Sequence, residues 1–361
     1  IIGIIFNWDK KFMQNKNRQN MMSKSKQELL GYQSHLIQDN LTYFKPTRNS
    51  TTVTFAEEIR SSLQEPKKSI SPKFFYDENG SKLFDEICSL PEYYPYNSET
   101  EILQSIETKL LPYLSNEFDL VELGSGSSVK TRLLIDVLFK SQKHLQYFPI
   151  DISEILDQSA KNLCMDYENL KVTGVVDTYE KGLDFIEHYD DKPNLITFLG
   201  SSFGNLDENE GMKFLQRINT LMKSDDLFLI GLDLKKDHEV LHNAYNDSQK
   251  ITAKFNLNIL KRINEELGAD FNLENFEHHA VYDEQKGRIE MYLRSLSEQS
   301  ITIPKSDLSI TLSKDELIHT ENSHKFSISQ IESYLKESNF EKLEMWFDSR
   351  KYFALVLAKK I

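Results

Sequence analysis

Short apolar runs recur through the middle of the chain, and stretches of helical spacing separate them. Leu120–Leu123, Tyr147–Asp151, Leu170–Val176, Leu195–Gly200 and Leu227–Leu234 read as strands. They are continuous rather than alternating, as expected of strands buried on both faces. Thr131–Phe139 has helical spacing between the first two. Strands alternating with helices predict an α/β fold with a parallel sheet and right-handed crossovers, whose ligands lie at the carboxyl ends of the strands. Gly124, Asp151, Asp177 and Asn205 all fall there.

Either side of this rhythm the pattern changes. Residues 1–50 mix Gln, Asn, Lys and Ser with little periodicity and read as a mostly mobile leader, in which Met13, Met21 or Met22 could each be the start. A helix is predicted over Phe55–Leu63, a turn at Asn79-Gly80 and a helix over Ser81–Cys88. Leu90-Pro-Glu-Tyr-Tyr-Pro95 reads as an extended aromatic segment pinned by two prolines, followed by a helix over Asn97–Leu111 that Pro112 stops. Residues 236–325 break the alternation with helices His238–Phe255 and Leu257–Leu267 and strands Glu277–Tyr282 and Arg288–Ser295, which suggests an inserted lobe. A helix over Ser329–Ser338 and a hairpin of Leu343–Phe347 and Tyr352–Ala358 then finish the sheet. The predicted organisation is a leader (1–50), a substrate-binding lobe (51–98 and 236–325) and a nucleotide-binding domain (99–235 and 326–361).

Composition narrows the function. The 361 residues carry a net charge of −13 with no basic stripe, which argues against nucleic acid or an anionic membrane as partner and leaves a small molecule or a protein. Cys88 and Cys164 are too few for a disulfide framework or a zinc cluster and suit a reducing, cytoplasmic setting. The opening Ile1-Ile-Gly-Ile-Ile-Phe6 is apolar but about a third of the length that spans a bilayer. A monomer is expected.

The sharpest chemical signal is Leu120-Val-Glu-Leu-Gly-Ser-Gly-Ser-Ser128. Gly124 and Gly126 remove the Cβ atoms that would keep a ligand off the backbone, and Asp151 at the next strand end can accept from two ribose hydroxyls. A dinucleotide site would want a third glycine to bring a helix N-terminus to a pyrophosphate, and Ser127, Ser128 and Val129 stand there instead. The acidic lead residue Glu122 fits the S-adenosylmethionine pattern better, although a nicotinamide-dependent oxidoreductase stays open at this point. His238-Glu-Val-Leu-His242 imitates a zinc-peptidase motif, but Asp237 reads as an N-cap that leaves both histidines in exposed opening turns. His278-His279 reads as a strand pair. Asn205 can offer donors and an acceptor to an amino acid, Tyr93 and Tyr245 can be core aromatics, and Glu321, in a polar stretch, reads on its own as surface.

Taken together, Pro72-Lys-Phe-Phe-Tyr-Asp-Glu-Asn-Gly-Ser-Lys-Leu-Phe84, Leu90–Pro95, Val121–Gly126, Phe198-Leu-Gly-Ser-Ser-Phe-Gly-Asn-Leu206, Ala253-Lys-Phe-Asn256 and Arg288-Ile-Glu-Met291 resemble the histidine Nα-methyltransferase family, from about residue 55 to the C-terminus. The resemblance implies a Rossmann-like class I S-adenosylmethionine methyltransferase sheet with an inserted α+β substrate-binding lobe. It implies conversion of L-histidine to its trimethyl betaine, hercynine, in ergothioneine biosynthesis. Cofactor contacts would come from Tyr76, Gly124, Gly126, Lys130, Asp151, Asp177 and Gly200. Tyr93, Asn205 and Tyr245 would hold the amino-acid backbone, Phe84 and Met291 would shape the pocket, and Glu321 and Ser323 would bond the imidazole, which reverses the surface reading of Glu321. Asn205, Tyr245 and Tyr76 are the residues closest to the chemistry, and no metal is implied. No iron-dependent sulfoxide synthase domain accompanies the resemblance, so the methylation step alone is expected.

The donor is intrinsically reactive, so the protein has to exclude water, align nitrogen, methyl carbon and sulfur, and favour the unprotonated amine. No residue stands out as a strong general base. The same resemblance extends to N-methyltransferases of tryptophan derivatives, which leaves tryptophan or another aromatic amino acid as the alternative substrate. A catalytically silent binding protein on this fold is the reading outside enzymology, against which the retained polar pocket residues speak.

Overall fold

The computed structural model describes residues 31–47, 54–125, 129–152 and 156–361. They fall into two units, the first holding the described residues of 31–47, 111–197 and 220–226, the second those of 54–110, 198–219 and 227–361.

The first unit carries strands β1 (Tyr32–Gln38), β2 (Leu41–Pro46), β3 (Asp119–Leu123), β4 (Leu145–Asp151), β5 (Leu170–Val176) and β6 (Asn194–Phe198), in spatial order β1-β2-β5-β4-β3-β6. From β2 to β6 every neighbouring pair is parallel. All residues of β3 and β6 are buried, which is why their sequences do not alternate. The chain winds from β3 through β4 to β5 on one side and places β6 on the other. The order therefore reverses at β3, the position where such sheets open a ligand crevice.

Residues 31–47, where the sequence predicted no element, form a hairpin through the two-residue turn Asp39-Asn40, with Gln38 opposite Leu41. In β1 only Tyr32 is buried, so the strand is polar along nearly its whole length and lacks the apolar period that would betray it. The remainder of the leader, including Ile1–Phe6 and the three methionines, lies outside the described residues.

The second unit contains β7 (Leu227–Asp233), β8 (Phe276–Asp283), β9 (Arg288–Ser295), β10 (Gln299–Ile303), β11 (Leu308–Leu312), β12 (Leu317–His324), β13 (Phe340–Phe347) and β14 (Phe353–Lys360). β14 pairs antiparallel with β7 and β13, so the C-terminal hairpin joins the sheet strand β7 as expected. The same unit holds an antiparallel β12-β9-β8 sheet and a β10-β11 hairpin, packed with helices Phe55–Gln64, Glu78–Cys88 and Ile251–Leu267 around one apolar core.

Three local expectations differ. Asn79-Gly80 lies inside the first turn of helix Glu78–Cys88, because the Asp77 carboxylate caps it by accepting from the Gly80 N–H at 2.6 Å. The Tyr94-Pro95 pair opens helix Tyr94–Gln104, since a first-turn proline loses no helical hydrogen bond. The two helices predicted over His238–Phe255 and Leu257–Leu267 are His238–Tyr245 and Ile251–Leu267, so the break falls at residues 246–250 rather than at 256. Asp247 accepts from the Ile251 and Thr252 N–H groups at 2.8 Å each and so starts the second. No described helix is long and apolar enough to cross a membrane.

Candidate active site

In the first unit three of the expected cofactor residues, Gly124, Asp151 and Asp177, lie at the carboxyl ends of adjacent strands, whereas Tyr76 and Gly200 belong to the second unit. Gly124, directly after β3, has φ +74°, and a Cβ built on it would stand 2.9 Å from the Tyr179 hydroxyl. Its missing side chain keeps the surface there open to a flat ligand. Asp151 ends β4 and, after burial, contributes to raising the Tyr179 pKa. Asp177 follows β5 and accepts from the Tyr32 hydroxyl at 2.8 Å. Sequence reasoning missed Tyr32, which belongs to the hairpin. Glu122 is buried, and its carboxylate accepts from Tyr147 Oη at 2.5 Å and Thr131 Oγ1 at 2.8 Å. It anchors the start of helix Val129–Ser141 to β3 and β4. Lys130 is half-buried in the first turn of that helix, and Gly126 lies outside the described residues. A Cβ-free approach beside two strand-end carboxylates fits a nucleoside, which Gly124, Asp151 and Asp177 could hold.

The second unit assembles the expected substrate residues. The rings of Tyr76, Phe84, Tyr93 and Tyr245 form a chain of edge contacts, with centroids 5.5 Å apart for Tyr76 and Phe84, 6.2 Å for Phe84 and Tyr93, and 6.3 Å for Tyr93 and Tyr245. Phe255 joins it, 5.8 Å from Tyr76 and 5.9 Å from Phe84. The sequence reading included Phe255 in the motif Ala253-Lys-Phe-Asn256 but gave it no role. Met291 is buried in β9 directly opposite Glu321 in β12. A bulge at Thr320, between the pairs His319–Tyr292 and Glu321–Met291, re-aims the strand just before the carboxylate. Beyond it the pleat places Glu321, Ser323 and Lys325 on one face.

Burial pushes the Glu321 carboxyl up to about 7, against the opposing pull of Lys325. Its charge in turn helps to raise the Tyr93 and Tyr245 hydroxyls, which burial already lifts above their ordinary values. Glu321 thus faces both tyrosines and is not a solvated surface acid.

Asn205 ends the short turn Ser202–Asn205, and its Nδ2 donates to the Asn322 carbonyl at 2.8 Å. That contact fixes the carboxamide and leaves Oδ1 as an acceptor. Gly200, with φ +74°, gives its N–H to both oxygens of the buried Glu99 carboxylate at 3.0 and 2.9 Å. Behind Tyr245, Asn256 Nδ2 bonds His278 Nδ1 at 2.9 Å, while His278 Nε2 reaches the Tyr245 carbonyl at 2.8 Å. Burial holds His278 below its ordinary pKa, so the neutral ring accepts at Nδ1 and donates at Nε2. Thr320 Oγ1 donates to Asn256 Oδ1 at 2.8 Å, which ties the bulge to the same network. His278 is a tether within β8.

One cluster had no counterpart in the sequence reading. Lys325 is fully buried, and its ammonium donates to Asp233 Oδ2 at 2.8 Å, Ser323 Oγ at 2.8 Å and Tyr245 Oη at 3.0 Å. Asp233, at the end of β7, also accepts from Lys236 and, at 2.7 Å, from Tyr94 Oη. Burial disfavours the Asp233 charge, but Lys236 and Lys325 together hold its pKa below the ordinary value. Burial brings Lys236 down to about 8 despite Asp233.

The zinc-like pair sits elsewhere in chemistry. Asp237 caps its helix by accepting from the Glu239 N–H at 2.8 Å, His238 is exposed, and its ring stacks on His242 with centroids 6.1 Å apart. Leu241, Ala244 and Tyr245 supply the buried face.

Residues 55–360 match the family described as histidine-specific methyltransferase, SAM-dependent. A histidine N-alpha-methyltransferase of Mycolicibacterium smegmatis is 35% identical over 311 residues, covering 86% of this chain and 96% of that protein. An ergothioneine biosynthesis protein 1 of Schizosaccharomyces pombe is 32% identical, over 79% of this chain and 38% of its own length. An L-tryptophan methyltransferase of Psilocybe serbica is more distant, 25% identical over 86% of this chain and 94% of its own. The fold is therefore that of a class I S-adenosylmethionine-dependent methyltransferase, and the chain belongs to the histidine-specific, S-adenosylmethionine-dependent methyltransferase family.

Proposed function

We propose that this enzyme transfers methyl groups from S-adenosylmethionine to the α-amino nitrogen of L-histidine, three times in succession, to give hercynine for ergothioneine biosynthesis. The observation that carries the substrate is the pairing of Glu321 with Ser323 on one face of β12, a carboxylate and a hydroxyl set to meet the two nitrogens of an imidazole. Asn205 Oδ1, Tyr93 and Tyr245 hold the amino-acid backbone. They fix the Cα so that the amine points at the incoming methyl, which converts binding into alignment.

On this reading the lobe of residues 51–98 and 236–325 recognises the amino acid. Gly124, Lys130, Asp151 and Asp177 hold the cofactor's nucleoside. The bound group supplies an electrophilic methyl on a sulfonium; the chain supplies orientation and dryness. Each transfer leaves a bulkier and finally permanent cation, and the faces of Tyr76, Phe84, Tyr93 and Phe255 attract it by cation–π interaction, worth about 0.5–2 kcal/mol each.

Purified enzyme given labelled cofactor and each of the twenty amino acids should methylate histidine far ahead of the rest and accumulate a trimethylated product. Preferential methylation of another amino acid would replace histidine in this scheme.

A further inference from the structure

The three N–H bonds of the Lys325 ammonium are all used, on Asp233, Ser323 and Tyr245. An ammonium accepts nothing, so it can only donate to the two hydroxyls. Tyr245 Oη also donates to Ser323 Oγ at 2.7 Å, closing a triangle of Tyr245, Ser323 and Lys325. A serine oxygen has two lone pairs and one proton. Here Tyr245 and Lys325 take both lone pairs, so the only capacity Ser323 has left is its proton, and that proton points out of the triangle.

We propose that Lys325, held by Asp233, is a positioning residue that makes Ser323 an obligate donor, so that the pocket selects a neutral imidazole whose unprotonated nitrogen faces Ser323 and whose N–H faces Glu321. The inference rests on the histidine reading above and goes beyond it, because it names the tautomer and assigns ring specificity to a residue that does not touch the ring. A fully buried ion pair is a poor stabiliser compared with apolar residues of the same volume, so its worth lies in what it orients. The surroundings support a charged Lys325. Burial opposes its charge, yet Asp233 and Tyr245 hold its pKa above the ordinary value. Lys236 supplies a second cation to Asp233, so the carboxylate keeps a partner when Lys325 is replaced.

The test compares histidine with the two pyrrolylalanines, which keep one ring N–H and carry C–H in place of the unprotonated nitrogen. The wild-type enzyme should prefer histidine in kcat/KM by about 100-fold or more, because the analogues leave Ser323 without an acceptor. In Lys325→Met that preference should fall by about 10-fold or more, as it should in Ser323→Ala, and the double variant should fall little further, since both changes remove one device. A Lys325 that merely supports the fold would lower histidine and analogue alike and leave the preference intact; that result overturns the proposal. If Lys325→Met does not fold by circular dichroism, Asp233→Asn, which releases the ammonium while keeping its shape, carries the same two outcomes. A wild-type enzyme that ignores histidine and methylates another amino acid overturns the function reading and this inference with it, whereas an active enzyme with an unmoved preference overturns this inference alone.

Discussion

Glu99 Oε1 runs where a side chain on Gly231 would be: a Cβ built on Gly231 would stand 2.0 Å from it. The bare backbone of β7 is what lets the Glu99 carboxylate reach the Gly200 N–H, and so what holds the turn that leads to Asn205. Gly231→Ala must displace the carboxylate and should cost about 1–3 kcal/mol, as should Glu99→Ala, which strands the Gly200 N–H. Thermal melts of the two variants check this, and a melting temperature within a degree or so of wild type in both would contradict it.

Gly124 is constrained twice, by its positive φ and by Tyr179. Gly124→Ala should destabilise the fold by roughly 1–2 kcal/mol, the cost of left-handed backbone to a residue with a Cβ, and should weaken S-adenosylhomocysteine binding in calorimetry because the new Cβ stands where the ligand approaches. Adding Tyr179→Phe removes the hydroxyl that a new Cβ would meet and should recover part of the loss. A double variant weaker than the single one would place the constraint elsewhere.

The Glu321 carboxyl, raised from 4.5 to about 7, links pH to both folding and binding. The free protein takes up a proton there more readily than the unfolded chain. This contribution to stability is therefore complete below about pH 4.5 and is lost as pH rises through about 7. Binding runs the opposite way, because the ionised carboxylate is the better acceptor for an imidazole N–H. The histidine dissociation constant should fall as pH rises through about 7 in the wild type, and Glu321→Gln should flatten that step. A step that survives the substitution belongs to another group.

Asn256 serves three partners at once through His278, the Tyr292 carbonyl and Thr320. Asn256→Leu should destabilise the lobe by about 1–3 kcal/mol for each buried group left unpaired. It should also lower kcat/KM for histidine, because Tyr245 loses its support through His278. Thermal melts together with steady-state kinetics separate the two effects.

Much of this was legible in the chain, for physical reasons that also mark where legibility stops. Strands β3 to β7 announce themselves because a strand covered on both faces has to be apolar throughout. β1 and β12 do not, since one is exposed along most of its length and the other carries the polar residues Glu321 and Ser323 on its inner face. β10 and β11 do alternate, Ser300-Ile-Thr-Ile303 and Leu308-Ser-Ile-Thr-Leu312, but the sequence reading of residues 236–325 passed over both, since each run is only five residues long. Glu321 is indistinguishable from a surface acid until a family motif or the fold itself places it. Lys325 is harder still, because nothing local says that a lysine will be fully buried; its partner Asp233 is 92 residues away in sequence and meets it only once β7 and the end of β12 are folded.

Substrate identity is the claim on which the rest depends, and Glu321→Ala tests it most directly. Removing the carboxylate should cut kcat/KM for histidine by about 2–4 kcal/mol, the range for a buried charge-assisted bond. It should leave cofactor affinity nearly unchanged and narrow the preference for histidine over tryptophan, because the pocket becomes larger and more apolar. If histidine turnover is untouched in Glu321→Ala, or if the wild-type enzyme uses tryptophan as efficiently as histidine, the imidazole does not meet Glu321 and the proposed substrate is wrong.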